Sequence, residues 1–336
     1  MNRQLMTTLL LLAAWLVPAG CTSLDEVVDV EDPDIVNPGD LQSPAGAVAA
    51  FTGGVGDFSF AIVGDNGGTE GQILVGGLMS DEYIHSGTFP TRLEYERRSI
   101  NKNSNGTLTT VARSLYRART SLEQSIGLLQ IYAATPASRV GEAFALAGFT
   151  YIFFAETYCS GVPFSTATEL GTPKTTNEIL QLAIERFDSA LTYLAATDTA
   201  TVRRRQFAAV GKARALLDMG QFANAAAAVA GVPVTFVYNT THSTTTGRQQ
   251  NGVHVFNHLS ERWSVADVEG GNGLNYRSAG DPRVQVTSGG VGFDRTSPQW
   301  NLMKYPARTT PVPIANGIEA KLIIAEALLQ AGNATA

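Results

Sequence analysis

From residue 107 to 231, apolar side chains recur three or four positions apart, the spacing that lays one stripe along a helix. Thr107–Tyr132 carries Leu108, Val111, Leu115, Ala118, Leu122, Ile126 and Leu129 in such a stripe. Pro136 and Ser138 punctuate, and Arg139–Cys159 follows, apolar nearly all round, which predicts a helix buried on most sides. Its small residues Ala143, Ala147, Gly148 and Ala155 permit close approach by neighbours. Pro173 and Thr176 open a helix that turns Ile179, Ala183, Phe187, Ala190, Leu191 and Leu194 inward. Val202–Met219 and Gln221–Ala230 form a pair broken at Gly220, and a last helix runs from about Ile314 to Ala331.

Two of these helices end alike. Ala213-Arg-Ala-Leu-Leu-Asp-Met-Gly220 recurs as Ala325-Glu-Ala-Leu-Leu-Gln-Ala-Gly332, and Ala155-Glu-Thr-Tyr-Cys-Ser-Gly161 is a looser copy one residue shorter. Each predicts alanines against a neighbour and a glycine taking the left-handed turn. Glycine, then Phe222 and alanine across a hairpin, is similar to the tetratricopeptide pattern, although the copies are irregularly spaced. After Gly332 only Asn333–Ala336 remains, so Ile318, Leu322, Ala325, Leu328 and Leu329 lack a partner helix. That gap predicts a chain continuing beyond this sequence.

Residues 232–313 break the pattern. They are rich in Gly, Thr, Ser and Asn, with short runs such as Val232–Tyr238, and irregular stretches of this length are usually functional. Phe236, Tyr238, Phe256, Trp263, Tyr276, Phe293, Trp300 and Tyr305 lie there, while the irregular block Gly64–Asn105 adds Tyr83, Phe89 and Tyr95.

Charge changes the picture at the N-terminus. Arg3 is the only charge before the apolar run Leu9–Val17, which Pro18-Ala19-Gly20-Cys21 follows: a secretory signal of residues 1–20, too short to span a bilayer. Ala-Gly-Cys predicts lipid on Cys21, although Pro18 stands where such signals usually have Leu. Residues 21–40 are acidic, proline-punctuated and aperiodic, and read as a tether. Twelve acids and no Lys or Arg lie between Cys21 and Arg92; the formal charge of −6 becomes −7 without residues 1–20 and leaves +5 on residues 92–336. Nothing here forms the clustered basic patch that nucleic acid requires.

Enzyme chemistry is thinly represented. His254-Val-Phe-Asn-His258 has metal-ligand spacing on a helix, with Glu261 in reach, but Gly252-Val-His-Val-Phe alternates like a strand. That would separate the histidines by about 14 Å, so surface histidines are expected. Gly53-Gly-Val-Gly and Gly289-Gly-Val-Gly lack the strand-to-helix context of a nucleotide loop. No Gly-x-Ser-x-Gly elbow occurs, and Cys159 reads as a buried, inert thiol. Asp81-Glu82, beside Tyr83 and His85, is the carboxylate pair a glycosidase would need. No metal set and no cofactor motif stands out.

The order of these pieces resembles the SusD/RagB family of outer-membrane nutrient-uptake lipoproteins. The matching residues are Cys21, Ala145–Tyr158 running into Gly161-Val-Pro163, and Ala209–Ala225 with its Leu-Leu-x-x-Gly-x-Phe turn. Later come Asp281-Pro-Arg283 and Asn316–Ala327. The resemblance implies a mainly α protein, residues 41–336, of irregular tetratricopeptide-like helical hairpins with long loops and the loop-rich insert 232–313. It also implies a lipid anchor in the outer membrane, facing the cell surface, and a SusC-like TonB-dependent transporter as partner. The cargo would be an oligosaccharide or peptide nutrient, and no catalysis is implied. Cys21 is the one functional residue that carries over. Sugar rings stack their C–H faces on aromatic planes, which nominates Trp263 and Trp300, then Tyr83 and Tyr276, as ligand contacts. A surface-anchored protein-binding scaffold and a glycosidase are the alternative readings.

Overall fold

The computed structural model describes residues 39–166 and 168–333. The chain divides into two units, Met1–Asp40 and Leu41–Ala336. Residues 1–38, and with them the signal, Cys21 and nearly all of the tether, lie outside the described residues.

All but one of the long helices begin at a side chain that satisfies an orphan backbone N–H. Ser43 accepts from Gly46 N–H at the start of α1 (Pro44–Val63), which is followed by α2 (Gln72–Met79) and α3 (Pro90–Glu96). Asn105 accepts from Leu108 N–H to cap α4 (Gly106–Tyr132). Next is α5 (Ala137–Tyr158), which has no side-chain cap. Thr175 and Glu178 close a reciprocal capping box on α6 (Thr176–Tyr193). Asp198 caps α7 (Thr199–Asp218). After α8 (Phe222–Val229), Asn316 caps α9 (Gly317–Gln330). Each such cap contributes about 1 kcal/mol to its helix.

Helix α5 is the central element, with neighbours α4, α6 and α7. An aromatic chain threads the layers: Phe149 meets Phe187 edge-on at 5.3 Å and stacks on Phe207 at 4.5 Å, and Phe207 stacks on Tyr238 at 3.7 Å. Two glycines make room for it. A Cβ on Gly148 would sit 2.8 Å from the Phe187 ring, and one on Gly211 only 2.3 Å from it. Helix α1 is long and apolar enough to cross a membrane. Its buried face, including Gly54 and Phe58, packs inside the protein, with Gly54 against Leu122 of α4.

The sequence repeats correspond to matching backbone geometry. Gly220 and Gly332 both adopt positive φ, 71° and 80°. Gln221 N–H donates to Leu216 O at 2.8 Å, and Asn333 N–H to Leu328 O at 2.9 Å, the same six-residue closure in both copies. Cys159 corrects an expectation: it is exposed, not buried. Helix α5 stops at Tyr158, and residue 159 turns away from the apolar stripe with φ 57°.

The outward side of α9 is apolar, with Ile318, Leu322 and Leu329 exposed to 61%, 65% and 56%. Leu322 and Leu329, with Leu217 and Phe222, border a groove of about 610 Å³ that also holds Arg214, Asp218 and Glu319. Arg214 donates twice to Glu156 at 2.6 Å and reaches Glu319 at 3.7 Å. Burial, then the Glu156 carboxylate, pushes Asp218 up to about 7. The folded state therefore holds this proton more tightly than the unfolded chain. Stability linked to it is complete below the ordinary carboxyl value of 3.8 and lost as pH rises through about 7. An Asp218→Asn variant should melt with the parent near about pH 4 and gain progressively up to pH 7, levelling above. Melting curves across that range test it; an equal gain at every pH would remove titration as the cause.

Candidate functional site

A short antiparallel pair, β2 (Val162–Pro163) with β3 (Pro173–Lys174), lies between α5 and α6, and the loop-rich segment leaves and rejoins the helices through one ribbon, β4 (Val237–Thr240) paired antiparallel with β8 (Val312–Asn316). Tyr238 pins that ribbon by stacking on Phe207 and donating its hydroxyl to Glu142 at 2.7 Å. Beyond the ribbon, β1 (Tyr83–His85) pairs with β5 (Trp263–Val265), placing His85 opposite Trp263. A hairpin of β6 (Val286–Val291) and β7 (Pro298–Leu302) lies beside them, with a bulge between Ser288 and Gly290.

Side chains replace the missing ladder between β5 and β7. Ser264 Oγ donates to Pro298 O at 2.7 Å and accepts from Trp300 N–H at 2.9 Å. Buried Asn257 donates to Trp263 O and Trp300 O and accepts from Leu302 N–H. Gln299 donates to Asn257 O and Trp263 O and accepts from Ser86 Oγ. A buried polar network satisfied in this way fixes the strands as one rigid platform.

The four nominated aromatics divide on this platform. Trp263 is fully buried, donates its indole N–H to Leu74 O at 3.1 Å, and meets His85 and Phe256 edge-on. Tyr83 is buried against Gly77, where a Cβ would lie 2.5 Å from its ring, and burial pushes its phenol far up. Neither presents a ring face outward; both hold the platform together. Trp300 and Tyr276 are half-buried. The Arg277 guanidinium lies 4.2 Å over the Trp300 ring and donates to Asp267 at 3.1 Å. Burial, then the Glu82 carboxylate, pushes Tyr276 to about 12, so it remains a neutral hydroxyl. Arg277 thus lies over the Trp300 ring, and Tyr276 precedes it in the chain.

No family model and no curated protein sequence matches the chain. Solved structures do. A SusD/RagB family protein from Bacteroides thetaiotaomicron is 14% identical with a TM-score of 0.68, over 85% of this chain and 68% of that one. The chain has the SusD-like fold. A SusD-like carbohydrate binding protein from Bacteroides vulgatus gives 15% identity and TM-score 0.60 over 87% and 72% of the two chains. Surface glycan-binding protein A from Bacteroides uniformis gives 14% and 0.61 over 86% and 76%.

Within this SusD-like fold the remaining sequence candidates fall into place individually. Asp81 and Glu82 take different partners: Asp81 bonds Arg98, whereas Glu82 lies in the field of Lys304, Tyr83, Tyr276 and Tyr305. Burial, then Asp81 and Glu96, raises Glu269 to about 7, so Asp81 belongs to a different carboxylate cluster. His254 and His258 correct a second expectation. They lie on a short helical segment, Gly252–His254 continuing as Val255–Leu259, and their rings stack at 4.5 Å. His254 is buried, and the rings meet the carbonyls of Tyr305 and Leu302 at 2.9 Å. Asn251 caps that segment, so local capping prevails over the strand-like alternation. Arg262, which sequence reasoning passed over, meets Phe89 and Phe293 from distant positions, with no common motif to reveal the grouping.

Proposed function

We propose that this protein is a surface lipoprotein that captures oligosaccharides on the loop-rich face and delivers them to a SusC-like TonB-dependent transporter. The carrying observation is Trp300, half-buried on a rigid strand with the Arg277 guanidinium 4.2 Å over its ring and Tyr276 adjacent in sequence to that arginine. A sugar ring gains apolar contact from the indole, while guanidinium and phenol hydrogen-bond its hydroxyls. The SusD-like fold supports the same reading, as do the carbohydrate- and glycan-binding names of two similar structures. Lipid on Cys21 would hold the protein at the outer membrane.

Affinity electrophoresis against a panel of polysaccharides tests the proposal. At least one glycan should retard the protein, and Trp300→Ala should weaken that retardation about tenfold or more. No retardation by any polysaccharide, together with tight co-purification of a barrel transporter, would replace glycan capture by the scaffold reading.

A further inference from the structure

The platform's other end carries a cation without an anion. Arg262 follows directly on Glu261 and precedes Trp263. Its guanidinium lies over the Phe293 ring at 3.8 Å and 5.1 Å from the centre of the Phe89 ring. Among the described residues no carboxylate pairs with it, and its Nη1 is buried without an acceptor. Two neighbours also carry buried nitrogens without partners. Arg92, also over Phe89 at 4.4 Å, uses Nε on Glu70 but leaves Nη1 buried and unsatisfied. His85, buried, turns Nδ1 to Arg262 O and leaves Nε2 without a partner.

Glu70, Glu96 and Asp294 are engaged elsewhere. Glu70 accepts from Arg92, Glu96 from His85 N–H, and Asp294 from Thr296 N–H, Ser297 N–H and the Ser297 hydroxyl. The arrangement is also built rather than incidental. Phe293 N–H donates to Glu261 O at 2.9 Å and Asp294 N–H to Ser86 O at 3.0 Å, which docks the hairpin turn onto the segment carrying Arg262. A desolvated guanidinium edge costs free energy until an anion meets it, and planar oxyanions match its fork.

We infer that Arg262, between Phe89 and Phe293 and backed by Arg92 and His85, receives the carboxylate or sulfate of an acidic oligosaccharide. Phe89 and Phe293 are exposed to 48% and 42% and offer C–H stacking surface beside the charge. The inference deepens the glycan reading and rests on it for the sugar, but not for the anion. Burial, then Arg92, holds the His85 imidazole down at about 4, so near neutrality the positive charge at this end comes from the arginines.

The test separates the two claims. Protein labelled with ¹⁵N is titrated with sodium glucuronate and, separately, sodium sulfate, while the Arg262 Nε–H resonance is followed. Affinity electrophoresis compares polygalacturonate, dextran sulfate and neutral dextran for the parent, Arg262→Gln and Phe293→Ala, each checked for an unchanged melting transition. The Arg262 resonance should move, and at least one polyanion should retard the parent more than dextran does. Arg262→Gln should weaken that retardation about tenfold to a hundredfold, and Phe293→Ala less. Selective response to polygalacturonate assigns a carboxylate, and to dextran sulfate a sulfate. An unmoved resonance with parent-like polyanion binding by Arg262→Gln overturns the anion site, whatever neutral glycans do. A moved resonance with no polysaccharide retarded keeps the anion site and overturns glycan capture.

Discussion

Trp263→Ala should unfold in denaturant with a loss on the order of 3–5 kcal/mol relative to the parent. The indole is fully buried, and its removal empties space shared by His85 and Phe256, which approach it at 5.5 and 4.9 Å. The loss also removes the indole hydrogen bond to the Leu74 carbonyl. It further takes a ring from under the Arg92 guanidinium, 4.9 Å away. Trp263→Phe should recover much of the packing but not the hydrogen bond. Equilibrium denaturation of both variants reads these terms separately. A ligand contact would behave differently, with affinity falling and stability barely changing. A stability loss below about 1 kcal/mol for Trp263→Ala would refute the assignment of this residue to the platform's core.

That contrast shows where sequence reasoning reached and where it stopped. Trp263 and Trp300 lie in the same glycine- and serine-rich stretch, and composition treats them alike. They are distinguished by Leu74, nearly two hundred residues earlier, whose carbonyl takes one indole inward. Arg262 is similarly opaque, because its neighbours Phe89 and Phe293 come from remote segments. The helical body was far more legible. Stripes from residue 107 onward locate α4 through α9 to within a few residues, because each helix buries one face through local periodicity. Helix α1 escaped since Gly46, Gly53, Gly54 and Gly56 depress helix propensity, and the packing that compensates comes from α4. Strands of two to six residues, such as Tyr83–His85 paired with Trp263–Val265, leave too short an alternation to read.

The buried ion pair beneath the platform carries the second large effect. Glu70 and Arg92 are exposed to only 5% and 6%, and Arg92 lies over Phe89, Phe256 and Trp263 at 4.4, 5.1 and 4.9 Å. Glu70→Gln keeps an oxygen able to accept from Arg92 Nε but removes the only carboxylate paired with that guanidinium among the described residues. A buried charge left uncompensated costs on the order of 3–5 kcal/mol, so this near-isosteric change should destabilise strongly. Removing both charges should cost less than the two single losses combined, because Glu70→Gln with Arg92→Met leaves no ion to desolvate. Chemical denaturation of the parent, both singles and the double gives the coupling, expected at about 1–3 kcal/mol. Strict additivity would mean that the aromatic rings and partial solvation, rather than Glu70, keep Arg92 in place.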